Sequence, residues 1–228
     1  MRTAIPVCPR RRKSQRGFEI WEFLLLASFL IPTMMWMFVN AMNLVRMNEA
    51  NQVTRDLGDL YIHGVDYSTY EAQNVAVKLA TGFRLNIGAS FTGNEQANTG
   101  NGGEGLINVA EIMYVGNASC SSLPNGTSCT NQNQYVFLQV ISFGNGTLQI
   151  NGSPVTSSMG AITAVTNSNG IVQNYLTDPN AVCATCASFF QTQLSDGQVA
   201  YVAETFFASP DLDISALPAG GVHNIAFF

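Results

Sequence analysis

Charge and histidine are both scarce in this chain. Only 11% of the 228 residues are charged, and the two histidines, His63 and His223, lie far apart in the sequence. HExxH and G-x-S-x-G patterns are absent, and the GNGGEG stretch at 100–105 lacks the lysine that a phosphate-binding loop needs. The sequence therefore predicts a protein that is not an enzyme and that holds no cofactor or metal. A catalytic role would require a pocket around one of the histidines.

Basic residues are nearly missing after position 16, and acids are missing before position 19. Six of the ten Lys and Arg residues fall within 1–16, whereas all fifteen acids come later. A basic start ahead of an acidic body argues against nucleic acid as a partner. A short basic block beside an apolar run is instead typical of the cytoplasmic flank of a membrane protein.

The chain has one long apolar run, from Phe23 to Val39, which reaches Val45 if two asparagines are tolerated. As a helix it is long enough to cross a hydrocarbon core of ~30 Å. A cleaved secretory signal has a shorter apolar region that ends at a small-x-small site, and the segment after Val39 has no such site. The run therefore predicts a retained single-pass anchor, with the N-terminus in the cytoplasm and the body outside.

Cysteine is sparse. Cys8 lies in the basic start, and four more lie in the part predicted to be exported. An even number in an exported domain predicts two disulfides. Pairing of Cys120 with Cys129 and of Cys183 with Cys186 is the simplest arrangement, but crossed pairing remains open. The C-x-x-C spacing of the second pair also leaves open free thiols, zinc binding or a redox centre.

Apolar periodicity predicts two helices. The first begins near Phe18, contains Pro32 and continues beyond the apolar run to about Gly64. The second covers 68–83, where Ser68 and Glu71 have the spacing of a capping box and Gly82 ends the helix. Its apolar stripe, which we expect to pack on a sheet, consists of Val75, Leu79 and Phe83.

After residue 84 the chain becomes rich in Gly, Asn, Ser and Thr, and strand-like runs alternate with turns. FGNGT at 143–147 predicts a hairpin between two of these runs. Within 198–207, alternation places Val199, Tyr201, Ala203 and Thr205 on one face of a strand and Val202, Glu204 and Phe206 on the other. We expect an α+β protein in which one antiparallel sheet of four to six strands packs on the helices. The predicted segments are 1–17 as leader, 18–64 as membrane helix with its extension, and 65–228 as extracytoplasmic domain.

The junction between the basic block and the apolar run has a specific arrangement. Gly17 is followed by Phe18, and the fifth residue after the glycine is Glu22, which precedes Phe23. This pattern resembles the class 3 signal of type IV pilin-like proteins, and most closely the prepilin-peptidase site of TadE-like minor pseudopilins of the tight-adherence (Flp pilus) machinery. The polar helical extension at 43–64 is also similar to that family. The resemblance covers residues 10 to 65.

The resemblance implies a pilin-like fold and cleavage between Gly17 and Phe18 by prepilin peptidase. It implies a bacterial inner-membrane protein whose partners are that peptidase and other pilin or pseudopilin subunits. Glu22, beside Phe23, would pair with the amine of a neighbour's Phe18 or serve recognition by the peptidase. Two alternatives remain open. Glu22 could be an interfacial residue that reaches the headgroups, and the protein could be an uncleaved, signal-anchored exported binding domain of the cell envelope.

Overall fold

A computed structural model describes residues 16–88, 103–150, 152–160, 163–190, 194–208 and 221–228, with the backbone alone at 16–19. Two compact units divide the chain, Met1–Leu44 and Val45–Phe228. Cys8 and nearly all of the predicted basic leader lie outside the described residues.

One helix, α1, extends through Arg16–Ile62 and contains Pro32. It ends two residues before Gly64, whose φ of +86° suits a glycine at a helix end. The prediction of a single helix from near Phe18 to about Gly64 is therefore confirmed. Between Ile20 and Leu44 the helix buries no side chain, whereas Ala50, Val53, Leu57 and Tyr61 of its last three turns belong to the core of the second unit.

The centre of the second unit is an antiparallel sheet of four strands in the order β2-β1-β5-β6. The strands are β1 at Gly105–Val115, β2 at Gln134–Gly144, β5 at Val199–Ala208 and β6 at Gly221–Phe227. A separate ribbon pairs β3 at Gln149–Ile150 with β4 at Ser153–Pro154. Short helical segments lie at Asn117–Ser121 (α3), Pro179–Ala181 (3-10) and Cys186–Phe189 (α4). The structure thus confirms an α+β chain with an antiparallel sheet.

One face of the sheet packs against helices. The end of α1 and helix α2, at Tyr70–Gly82, form an apolar cluster with Ile107, Val109, Phe143 and Phe207 of the strands. Two buried threonine hydroxyls join the layers, because Thr54 Oγ1 lies 2.6 Å from Thr205 Oγ1. The predicted division of β5 into two faces is confirmed, since Ala203 belongs to this cluster and Val202 to the cluster on the opposite face.

The opposite face is covered by the irregular chain between β4 and α4. Met159, Val172 and Ala181 of that segment pack on Ile112 and Phe137 of the sheet. The same segment protects the outer edge of β2, since its backbone exchanges hydrogen bonds with Leu138 and Val140. The central strands β1 and β5 are therefore buried on both faces and lack the polar outer face of a solvent-exposed antiparallel sheet, whereas the edge strand β6 has no buried residue.

Helix α2 departs from its predicted details. The N-cap is Thr69, which has extended φ and ψ and whose Oγ1 accepts from the Ala72 amide at 3.4 Å, so Ser68 and Glu71 do not form a capping box. Val75 is 50% exposed, and the predicted stripe is therefore wrong at its start. The buried face instead uses Ala72, Gln73, Ala76 and Ala80, since small side chains let the helix approach its neighbours closely. Gly82 does end the helix, as predicted.

The predicted FGNGT hairpin is wrong. Gly144, with a φ of +108°, turns the chain out of the sheet, and the following strand β3 pairs with β4 instead of β2. The reason is nonlocal. The Asn145 amide donates to Gly105 O at 2.8 Å and its side-chain amide donates to Gly103 O at 2.7 Å, which tie the turn to the start of β1.

Candidate functional site

The residues that carry the pilin-like pattern lie in the first turns of α1. Gly17 and Phe18 are helical, and the structure describes only their backbone. Glu22 and Phe23 follow on the same continuous helix and are exposed, with Phe23 at 71%. Helix rise is 1.5 Å per residue, so Glu22 lies one turn from Phe18 along the axis.

From Ile20 to Val39 the surface of α1 is apolar on all sides, apart from Glu22 and a few uncharged polar side chains. Trp21, Leu26, Phe29 and Trp36 are between 60% and 74% exposed, although they point in different directions around the helix. An amphipathic helix would restrict apolar residues to one stripe. This helix is long and apolar enough to cross a membrane. An apolar surface on every side is suited to lipid tails, because water would oppose its exposure.

The few polar side chains of this stretch bond to the helix itself. Ser28 Oγ donates to Leu25 O at 2.7 Å, Thr33 Oγ1 donates to Phe29 O at 2.8 Å, and Asn40 Nδ2 donates to Trp36 O at 2.7 Å. A hydrocarbon environment requires polar groups to find partners within the protein. These side chains meet that requirement without a second helix.

The four cysteines after residue 100 form two pairs at disulfide distance. Cys120 and Cys129 have Cα atoms 5.6 Å apart, and Cys183 and Cys186 have Cα atoms 5.4 Å apart. Crossed pairing is not observed. Bonded sulfurs offer no thiolate to zinc, and the described part of the chain contains no group of three His, Cys, Asp or Glu side chains that could hold a metal.

The two histidines occupy different settings. His63 is exposed at the end of α1, where its Nδ1 lies 2.7 Å from the Asp59 carbonyl oxygen. His223 on β6 stacks on Phe206 with ring centroids 4.4 Å apart, and its Nε2 lies 2.8 Å from Glu204 Oε1 and 3.3 Å from Ser158 Oγ.

The Ser158, His223 and Glu204 side chains do not have the geometry of a catalytic triad. A triad histidine uses one ring nitrogen for the nucleophile and the other for the acid. Here both partners face the same Nε2. Glu204 is fully buried and also accepts from Ser157 Oγ at 2.6 Å and from the Ser158 amide at 2.8 Å. The carboxylate thus anchors the 157–158 turn to the sheet.

Sequence reasoning placed Glu204 on one face of a strand but missed the Glu204 cluster, which is the group of side chains that bond to this carboxylate. Its members come from β5, β6 and the 157–158 turn, and no spacing in the sequence brings them together. The only available signal was a charged residue inside an otherwise apolar strand, at a position where alternation predicts burial.

Asp196 and Glu111 are carboxylates with perturbed pKa values. Asp196 accepts hydrogen bonds from the Ser119 hydroxyl and from the amides of Gly116, Ala118 and Ser119. These bonds, the Ser119 hydroxyl first, hold the pKa of Asp196 below its ordinary value. Burial of Glu111 among the sheet residues raises the pKa of that carboxyl. Burial, and after it the negative charge of Glu111, raises the pKa of the Tyr61 and Tyr201 hydroxyls.

Comparison with known proteins identifies no relative. No family model matches the chain, no curated protein is similar to it, and no solved structure matches its fold.

Proposed function

We propose that the protein is a minor pseudopilin, or a pilus assembly component, of a tight-adherence or type IV pilus-like machinery. It acts without catalysis and is processed by prepilin peptidase between Gly17 and Phe18. The observation that carries the proposal is the position of these residues and of Glu22 at the start of a helix that is apolar all round. The helix lies in the inner membrane, with the leader in the cytoplasm and residues 45–228 outside.

A carboxylate at this position needs a function because an ionised group within apolar surroundings is costly unless it is paired. Removal of residues 1–17 would create a free amine at Phe18. The Glu22 carboxylate of one subunit would pair with the amine of its neighbour and fix the register between the two helices. Recognition of the same carboxylate by the peptidase is the other role for Glu22, and it precedes assembly.

The architecture of the second unit supports a pilin-like part. A long helix contributes its last turns to the core of an antiparallel sheet, and a second short helix packs beside it. Other pilin or pseudopilin subunits would contact this part.

The decisive experiment is the intact mass and N-terminal sequence of the protein extracted from membranes that contain prepilin peptidase. We expect a mature chain that begins at Phe18, and we expect Gly17→Ala to retain the leader. Glu22→Gln separates the two roles of Glu22. A processed variant that fails to assemble identifies an assembly role, and an unprocessed variant identifies peptidase recognition. A wild-type chain that keeps residues 1–17 beside active peptidase contradicts the proposal.

An uncleaved, signal-anchored exported binding domain is the second candidate. It is favoured by a recess of about 640 Å³ in the second unit, lined by aromatic and amide side chains. If the leader is retained and a ligand of this recess is found, the second candidate replaces the first.

A further inference from the structure

The recess lies where β1 ends and β2 begins, beside the Cys183–Cys186 pair. Its volume of about 640 Å³ falls within the range of small-molecule sites. Tyr114, Tyr135 and Phe190 form a continuous aromatic wall, with centroids 5.3 Å apart for the two tyrosines and 5.1 Å apart for Tyr135 and Phe190. None of the nine lining residues carries a charged side chain.

The rim of the recess supplies amide groups. Asn133 and Gln134 line it, and both are exposed. Within the part of the chain that the structure describes, neither side-chain amide makes a hydrogen bond. Each amide presents a donor and an acceptor together, so the rim is matched to a ligand whose polar groups also donate and accept.

The walls of the recess are held in place before any ligand arrives. The Cys183 amide donates to Tyr135 O at 2.8 Å, and the Cys183–Cys186 pair closes the turn behind it. Asn133 has a φ of +61°, a conformation that asparagine adopts more readily than most residues, and its backbone amide donates to Val115 O at 2.6 Å. A preorganised site loses less entropy on binding.

We propose that this recess binds uncharged sugar residues of an oligosaccharide or polysaccharide. A pyranose ring has an apolar C–H face for the aromatic wall and vicinal hydroxyls that both donate and accept for the two amides. The lack of charged lining excludes phosphates, carboxylates and amines as the main ligands, because burial of an ion needs a paired charge. A proline-rich peptide is less suited, since its backbone offers carbonyl acceptors but few N–H donors. The proposal is independent of leader cleavage.

The test measures binding of neutral tetrasaccharides to the full-length protein in a zwitterionic detergent that has no sugar headgroup. The probes are tetramers of β-1,4-glucose, β-1,4-N-acetylglucosamine, α-1,4-glucose and α-1,4-galactose. Calorimetry and saturation-transfer NMR measure their binding. For an open recess we expect a Kd on the order of 1 mM or tighter for at least one probe. Tetragalacturonic acid is the charged match of the galactose tetramer, and we expect it not to bind.

Two variants locate the binding. Tyr114→Ala removes one ring of the wall and should weaken binding about three- to tenfold. Gln134→Ala changes an exposed rim position that supports no buried contact, so it tests the recess even if the tyrosine variant misfolds. Gln149→Ala makes the same chemical change at an exposed site on β3 and should leave the Kd unchanged.

Three results with the sugar probes would overturn the proposal. They are the absence of saturable binding for every neutral probe, equal binding of the uronic acid tetramer, and unchanged binding in the Gln134 variant. Binding of a proline-rich peptide in place of all sugars would also overturn it and assign the recess to a protein partner. None of these outcomes depends on where the mature chain begins.

Discussion

Among single residues, Glu204 is the charged side chain most completely enclosed by the second unit. It is 0% exposed, and its two oxygens face a serine hydroxyl, a backbone amide, an asparagine amide and the His223 ring. Such a group is stable only while its partners remain, because removal of one buried partner leaves another without a hydrogen bond.

The first prediction is that Glu204→Gln destabilises the protein by about 1–3 kcal/mol, since the amide nitrogen turns a donor toward groups that donate. Urea unfolding followed by near-ultraviolet circular dichroism of the tyrosines measures the change. Glu71→Gln, an identical substitution at an exposed position of α2, is the matched control and should have little effect. Equal stability of the two variants would show that Glu204 is not an anchor.

The second prediction concerns Asp196, whose carboxylate accepts hydrogen bonds from the backbone amides at the start of α3, about 80 residues earlier in the sequence. Its pKa in the folded protein lies below the ordinary value of 3.8, so between these two values the unfolded chain binds more protons. The stabilisation is therefore present above about pH 4 and is lost as the pH falls through the folded pKa.

For Asp196→Asn we expect faster amide hydrogen exchange at 116–119 than in the wild type at pH 6. The difference in protection factor should shrink as the pH falls toward 3. Exchange measured by mass spectrometry checks this, with Asp59→Asn on the exposed face of α1 as control. A difference that is constant over this pH range would contradict the assignment.

Among the elements, strand β2 ends at a glycine, Gly144, that no other residue could replace without strain and overlap. A Cβ on Gly144 would lie 2.5 Å from Gly105 O, and the residue has a φ of +108°. Gly126 also has a positive φ, of +92°, but a Cβ there would meet no atom within 4 Å. Both glycines have a positive φ, but only at Gly144 would an added Cβ overlap with another atom.

The third prediction is that Gly144→Ala destabilises the second unit by roughly 2 kcal/mol or more, because conformational strain and backbone overlap add. Gly126→Ala should cost about 1 kcal/mol from strain alone. Thermal unfolding of the full chain in detergent compares the two. If the variants melt at the same temperature, the contact with Gly105 has no energetic role.

The elements show where sequence reasoning succeeds and where it stops. The long helix, the short helix and the four strands of the main sheet follow from local periodicity, which the chain carries in its apolar residues. The FGNGT hairpin failed because a backbone contact to β1, far away in the sequence, decided the direction of the chain. The Thr69 cap was misassigned by one residue, since neighbouring Ser and Thr both suit a cap. The aromatic recess and the Glu204 cluster combine residues from distant segments, so no local pattern predicted them.

Over the whole molecule, the boundary between the two compact units falls inside α1, after Leu44. The residues before it that the structure describes bury no side chain, and those after it supply core residues such as Ala50, Val53 and Leu57. The stability of the second unit should therefore not depend on the apolar half of the helix.

The fourth prediction is that a chain of residues 45–228 folds without detergent and melts within a few degrees of the full-length protein. A chain of residues 65–228 is the control. It lacks the α1 residues of the core, and loss of several buried apolar side chains at about 2–5 kcal/mol each exceeds the stability of an ordinary domain. Size-exclusion chromatography and circular dichroism distinguish the outcomes. An unfolded 45–228 chain would place essential contacts before residue 45.

The double covering of the sheet has a consequence for how the sequence can vary. An antiparallel strand with one wet face tolerates polar replacements at every second position, but all six residues from Val202 to Phe207 are buried. A saturation scan of β5 would therefore show an unbroken block of intolerance, without the period of two. Between Phe23 and Val39 the same scan would accept one apolar residue for another and reject charge. A profile of permitted substitutions would thus distinguish a strand buried between two layers from a helix whose apolar side chains are exposed on every side.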